Sequence, residues 1–142
     1  MVGKILLRVA SALMFLHDVG HTLGHLGWKH SSDAAKQVVI KAMTESQFPF
    51  MGSSRSLGDY YDGYGYAATV TLLLVSVLLW LVSSADLRDN SLARRILITL
   101  CAFLLAWVII EVLYFFLFAA AFSFLALVLT VVALGLAIRA KR

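Results

Sequence analysis

One proline, one cysteine and a charged fraction of only 14% in 142 residues set the first limits on this chain. A soluble domain carries roughly 25% charged residues, so an ordinary soluble fold is excluded, and 61% hydrophobic content reads as an integral membrane protein. Cys101 is the sole cysteine and sits in an apolar run. It cannot form an intramolecular disulfide, and packing is its simplest role. There is no HExxH zinc motif, no ExxH pair of the kind two helices bring to a di-iron carboxylate bundle, and no internal repeat pointing to an inverted-repeat transporter. The net charge of +4 comes from basic residues that flank apolar segments. Topology explains them there, and nucleic acid is not an expected partner. Lys4 and Arg8 precede an apolar region, as in a signal peptide, but no small-x-small cleavage site leads into a soluble domain, so the segment is expected to be retained.

Four apolar stretches remain. The first runs from about 5 to 28, some 24 residues where about 20 suffice to cross the hydrocarbon core, with Trp28 at the far interface. The second covers 64–83. From Ile96 to Ile138 the chain is nearly all apolar, roughly 64 Å as continuous helix and therefore two crossings. These are expected at 96–117 and 122–139, with the turn around Phe118 to Phe124, where Ala119-Ala120-Ala121 and Ser123 replace large aliphatics. The fold class is thus an all-α membrane protein, a four-helix transmembrane bundle forming a single domain over 1–142.

An even number of crossings puts both termini on one side. That side would carry Lys4, Arg8, Arg88, Arg94, Arg95, Arg139, Lys141 and Arg142, against Lys29, Lys36, Lys41 and Arg55 on the other. The positive-inside rule places the termini in the cytoplasm of a bacterial inner membrane and the 31–63 connection outside.

That connection has its own pattern. Ser32 or Asp33 can cap a short external amphipathic helix, with Ala35, Val38, Val39, Ala42 and Met43 on one face. Such a helix would lie on the membrane surface or across the bundle mouth. Phe48-Pro49-Phe50-Met51-Gly52 then breaks the helix, and an apolar turn here would dip back into the interface. Ser56-Leu57-Gly58-Asp59 has capping-box spacing, with aspartate in the third position, so the second helix starts near Leu57, well before its lipid-facing part. Tyr60, Tyr61, Tyr64 and Tyr66 in its first turns fit an interfacial aromatic belt.

The chemistry-bearing stretch is His17 to His30, HDVGHTLGHLGWKH, which holds all four histidines. On a helix His17, His21 and His25 share a stripe about 80° wide, with Asp18 at its edge and Gly20, Gly24 and Gly27 on the neighbouring stripe. Ionisable groups within a span are costly and face the bundle interior or a wet cavity, which makes them functional candidates. Asp18, His21, His25, Asp59, Tyr60, Tyr64 and Glu111 are therefore the expected lining of a polar pocket in the outer half. Imidazoles four apart could ligate iron or zinc through His17, His21 and His25, with Glu111 as carboxylate donor from another helix. Haem is a second possibility, its second axial ligand coming from a methionine, a partner or a second copy. The structural alternative is that these side chains hydrogen-bond to one another while Gly20-x-x-x-Gly24 admits a neighbouring helix. Arg55 can pair with Asp59 or hold an anionic headgroup or partner.

The stretches Phe48-Pro49-Phe50-Met51-Gly52-Ser53-Ser54-Arg55 and Asp59-Tyr60-Tyr61-Asp62-Gly63-Tyr64-Gly65, with the glycine-histidine pattern of the first span, resemble a family of small uncharacterised bacterial membrane proteins. The resemblance implies one span, an external connection with an FMGSxR-like turn, an aromatic and glycine-rich helix start and three more spans; it supplies no catalytic residue. The expected role is an accessory or structural subunit of a membrane complex, partnered by lipids and by other subunits or a second copy, or a bundle that binds a lipophilic ligand. The alternative is a metal-dependent or haem-binding redox protein. No reaction is assigned by these patterns.

Overall fold

The computed structural model describes residues 1–139. Lys141 and Arg142, counted above for the cytoplasmic side, lie outside the described residues. Within the described residues the order is α1 (Val2–Leu26), α2 (Ala34–Glu45), β1 (Gln47–Phe50), β2 (Ser53–Ser56), α3 (Leu57–Ser83), α4 (Ser91–Tyr114) and α5 (Leu117–Arg139). Helices α3, α4 and α5 are long and apolar enough to cross a membrane by length and composition. That is the make-up of a membrane protein. Helix α1 has 25 residues but carries Lys4, Arg8, Asp18 and three histidines. These dilute its apolar run, so three helices rather than the expected four meet the requirement.

Local signals account for most boundaries. Asp33 caps α2 by accepting from the amides of Ala35 and Lys36. Ser56 and Asp59 close a reciprocal capping box: the Ser56 amide donates to Asp59 Oδ2 (2.7 Å), and the Asp59 amide donates to Ser56 Oγ (3.0 Å). Two donors at the helix start are thereby satisfied. Asn90 caps α4 through the Ala93 amide.

Two boundaries differ from expectation. The turn between the last two helices falls at Phe115–Phe116, before the alanine run, and Phe115 is extended at φ −123° and ψ −153°. Alanine is the strongest helix former, whereas consecutive aromatics lose side-chain freedom in a helix. The chain therefore bends in Tyr114-Phe115-Phe116, and Ala119–Ala121 belong to α5. The fold is also not purely helical, because Gln47–Ser56 is an antiparallel hairpin pairing Gln47 with Ser56, Phe48 with Arg55, Pro49 with Ser54 and Phe50 with Ser53. Met51 and Gly52 form its two-residue loop, both at positive φ (46° and 81°), which matches the twist of hairpin strands. Pro49 is tolerated because the pair one step out from such a loop exchanges no ladder hydrogen bonds.

The described chain clusters into two compact units, residues 1–18 with those from 72 onward, and residues 19–71. In the first, Leu7, Met14, Leu72, Leu79, Leu97 and Leu104 form a fully buried aliphatic core. Helix α4 contributes Ala93, Leu97, Leu100, Leu104 and Glu111, at spacings of three, four and seven residues. Helix α5 buries only small residues, Ala120, Ser123, Ala126, Thr130, Ala133 and Ala137. Where lipid offers no hydrophobic drive between helices, small residues let backbones approach and dispersion act. Ser11 and Ser76 add a reciprocal pair, each hydroxyl donating to the other's carbonyl at 2.8 and 2.9 Å. In the second unit the hairpin packs beside α2.

Candidate functional site

Among the described residues each unit holds a cluster of ionisable side chains. In the first, the helical spacing that buries the α4 leucines carries Glu111 to the same inward face, where it is 4% exposed. Trp107, one turn earlier, donates from Nε1 to Glu111 Oε1 at 2.8 Å. His17 is 8% exposed and bridges two groups: its Nε2 lies 3.2 Å from Glu111 Oε1 and its Nδ1 lies 3.1 Å from the hydroxyl of fully buried Ser123. Phe122 flanks the ring with centroids 6.1 Å apart. An imidazole placed so can donate from one nitrogen and accept at the other, or donate from both when protonated. The Ser123–His17–Glu111 line can therefore hold a proton and exchange it between neighbours. Asp18, beside His17, is also buried.

The second cluster is centred on Asp62. Its Oδ1 accepts from Trp28 Nε1 at 2.7 Å and its Oδ2 from Lys29 Nζ at 2.5 Å. His25 Nε2 lies 3.8 Å from Oδ1. The hydrogen bond to Asp62 holds the Lys29 amine above its ordinary range. His25 is buried and enclosed by rings: it stacks on His21 with centroids 6.0 Å apart, meets Tyr66 edge-on at 5.0 Å and lies 5.8 Å from Tyr61. His21 Nε2 is 3.0 Å from the Gly65 carbonyl oxygen, and the Thr22 and Thr69 hydroxyls bond at 2.9 Å. Asp62, Gly65 and Thr69 recur at three and four residues along α3, opposite Trp28, His21 and Thr22. Gly65 is required there, because a Cβ at that position would fall within the His25 ring.

The sequence candidates thus divide between the units. His17, Asp18 and Glu111 belong to the first; His21, His25, Asp59, Tyr60 and Tyr64 belong to the second. Asp59 is engaged in the cap of α3, Tyr60 is 39% exposed and Tyr64 is 74% exposed. Arg55 donates from Nη1 to the Ser54 carbonyl at 3.1 Å. Among the described residues no three histidine, cysteine, aspartate or glutamate side chains come together as a metal ion would need. Sequence reasoning did not single out Ser123, Trp107 or Asp62 as site residues. The small-residue periodicity from Ala120 to Ala137 places Ser123 inward, and Trp107 stands one turn from Glu111. Asp62 lies one turn from both Asp59 and Gly65.

Two concavities are present among the described residues, one beside Lys29 of the second cluster and one away from both clusters. An open groove of about 720 Å³ is lined by Lys29, His30, Gln37, Lys41 and neighbours, and an apolar one of about 390 Å³ by Ser11, Ala12, Phe15, Ser76, Val77 and Trp80. Arg8 lies 4.7 Å over the Trp80 ring. Comparison with family models, with curated proteins and with solved structures finds no match.

Proposed function

We propose that this chain is a four-span protein of the bacterial cytoplasmic membrane, with both termini cytoplasmic and the 31–63 connection external, serving as a small accessory subunit of a larger assembly. This is the architecture of the family that its Phe48–Arg55 and Asp59–Gly65 stretches resemble. The fourth crossing is α1, about 37 Å long at 1.5 Å per residue. Burial of its His17, Asp18 and His25 supports that crossing, since polar side chains taken up by protein do not face lipid. Arg8 against Trp80 suits a cytoplasmic interface.

The observation that carries the subunit reading is the other face of α1. Gly20 and Gly24 are exposed, and a Cβ at either would meet nothing within 4 Å, next to Leu23 at 67% exposure. A GxxxG face open to the exterior of a membrane helix is a place where a second helix approaches closely. The polar groups on the same helix are engaged within the chain. In this reading their contacts fix how the helix packs within the chain.

The test is mild-detergent purification with cross-linking of the wild type, of Gly20→Leu with Gly24→Leu, and of His21→Ala. The wild type and His21→Ala are expected in a larger assembly, and the double leucine variant released from it. A wild-type protein that runs as a monodisperse monomer, or an assembly indifferent to the leucines, would overturn the reading. The apolar groove beside Phe15 and Trp80 favours a second reading, a bundle that holds a lipophilic molecule, because its volume falls in the range of small-ligand sites. That reading requires a co-purifying lipid or quinone, seen by mass spectrometry and displaced when Ala12→Phe fills the groove.

A further inference from the structure

The hairpin Gln47–Ser56 has two unlike faces. Residues directly paired across antiparallel strands project to the same side, and so do residues two apart along a strand. Phe48, Phe50, Ser53 and Arg55 therefore share one face, with Met51 at the tip. Gln47, Pro49, Ser54 and Ser56 share the other, where the Ser54 hydroxyl donates to Gln47 Oε1 at 3.2 Å and Ser56 is buried in the α3 cap. The apolar face is open, with Phe48 at 48%, Phe50 at 59% and Met51 at 92% exposure. Met51 holds a positive φ, a left-handed conformation that a non-glycine residue seldom adopts. The loop thus spends conformational strain on presenting a large apolar side chain at its most exposed point.

Three facts decide what covers this face. First, β2 ends at Ser56 and α3 begins at Leu57 with no intervening residue, so the ribbon is attached directly to a helix of membrane-crossing length. Second, the 27 residues of α3 span about 40 Å against a hydrocarbon core of about 30 Å. The start of α3 then stands about 10 Å outside the core, in the headgroup layer, within reach of a four-residue strand of about 13 Å. Third, residues 47–56 contain no acidic side chain and one basic one, Arg55, opposite Phe48. Its guanidinium donates to the Ser54 carbonyl from Nη1, leaving other N–H groups for a phosphate.

We propose that the hairpin is a membrane wedge: Phe48, Phe50 and Met51 insert into the outer leaflet beside α3, and Arg55 binds an anionic lipid phosphate. The inference rests on the membrane reading of α3 above. Aromatic rings at headgroup depth and a guanidinium held among them match what an interfacial anchor requires.

The test uses the full chain with Cys101→Ala in liposomes, with an environment-sensitive dye at Met51→Cys, at Ser54→Cys on the other face, or at Leu74→Cys within α3. Spin-labelled lipids and aqueous iodide are the quenchers. The dye at 51 is expected to be quenched by lipid and shielded from iodide, and the dye at 54 the reverse. Replacing zwitterionic by anionic lipid should raise the inserted-to-withdrawn ratio at 51 about fivefold, the effect of one basic side chain at an anionic surface, and Arg55→Gln should remove that gain. The three labelled positions lie on exposed side chains, and the dyes there displace no packed group. Quenching by lipid at 74 but not at 51 overturns the wedge and leaves the membrane reading standing; no lipid quenching at 74 overturns both. Shielding from iodide at 51 without lipid quenching means a protein covers the face and also overturns the wedge. A lipid response at 51 that is the same in both vesicles overturns the phosphate role of Arg55.

Discussion

Replacing Gly65 by alanine should destabilise this protein, although the same change two residues earlier in α3, at Gly63, should not. In a helix interior alanine is favoured over glycine by about 1 kcal/mol. At Gly63 no atom lies within 4 Å of the added Cβ, so Gly63→Ala receives that gain unopposed. At Gly65 the methyl group would occupy the space of the His25 ring. The ring has little freedom to withdraw: it is buried, stacked on His21 and met by Tyr61 and Tyr66. Overpacking of this kind costs about 1–3 kcal/mol. The helix-propensity gain is common to both variants and cancels, so Gly65→Ala should be less stable than Gly63→Ala by that overpacking cost. Thermal unfolding of the full chain in detergent, followed by circular dichroism, reads the difference. His25→Ala removes the obstructing ring, and adding Gly65→Ala to it should then be favourable, as Gly63→Ala is in the wild type. Equal stability of the two single alanine variants would refute the close approach of α3 to His25.

Two more substitutions address the clusters. Glu111→Leu leaves Trp107 Nε1 and His17 Nε2 without their shared acceptor, at about 1–3 kcal/mol for each unsatisfied buried donor. Glu111→Gln keeps an oxygen in place and should be clearly milder by the same unfolding measurement; parity between the two would contradict an inward Glu111. For Lys29, the Asp62 carboxylate stabilises the ammonium form and raises the pKa above about 10.5. Its contribution to stability is present below the unfolded value and is lost as pH rises through the higher folded one. Site-resolved acylation of Lys29 between about pH 8 and 11 should be faster in Asp62→Asn, because more amine is then neutral. Unchanged labelling rates would speak against the pair.

The Ser56 and Asp59 capping box and the Asp33 cap were legible because a cap is a contact between residues two or three apart. The histidine stripe was legible as a helical face for the same reason. Glu111 could be marked as an inward group, since a carboxyl in an apolar helix has few other places to go. The hairpin was not legible: Met-Gly lacks the Asn-Gly or Asp-Gly signal of a two-residue loop, and the proline argued against a strand. The bend at Phe115 was displaced for a related reason, because small residues suggested a turn where they in fact supply a packing face.

Composition and local periodicity alone determined the membrane character, the caps and the residues available for polar contact, since these depend on transfer energies and on neighbours within one helical turn. Only the tertiary structure decided that His17 meets Ser123 and Glu111, whereas His25 and Trp28 meet Asp62. Successive imidazoles on one stripe differ by about 40° in azimuth and 6 Å in height, so which helix each one faces depends on how the chain packs.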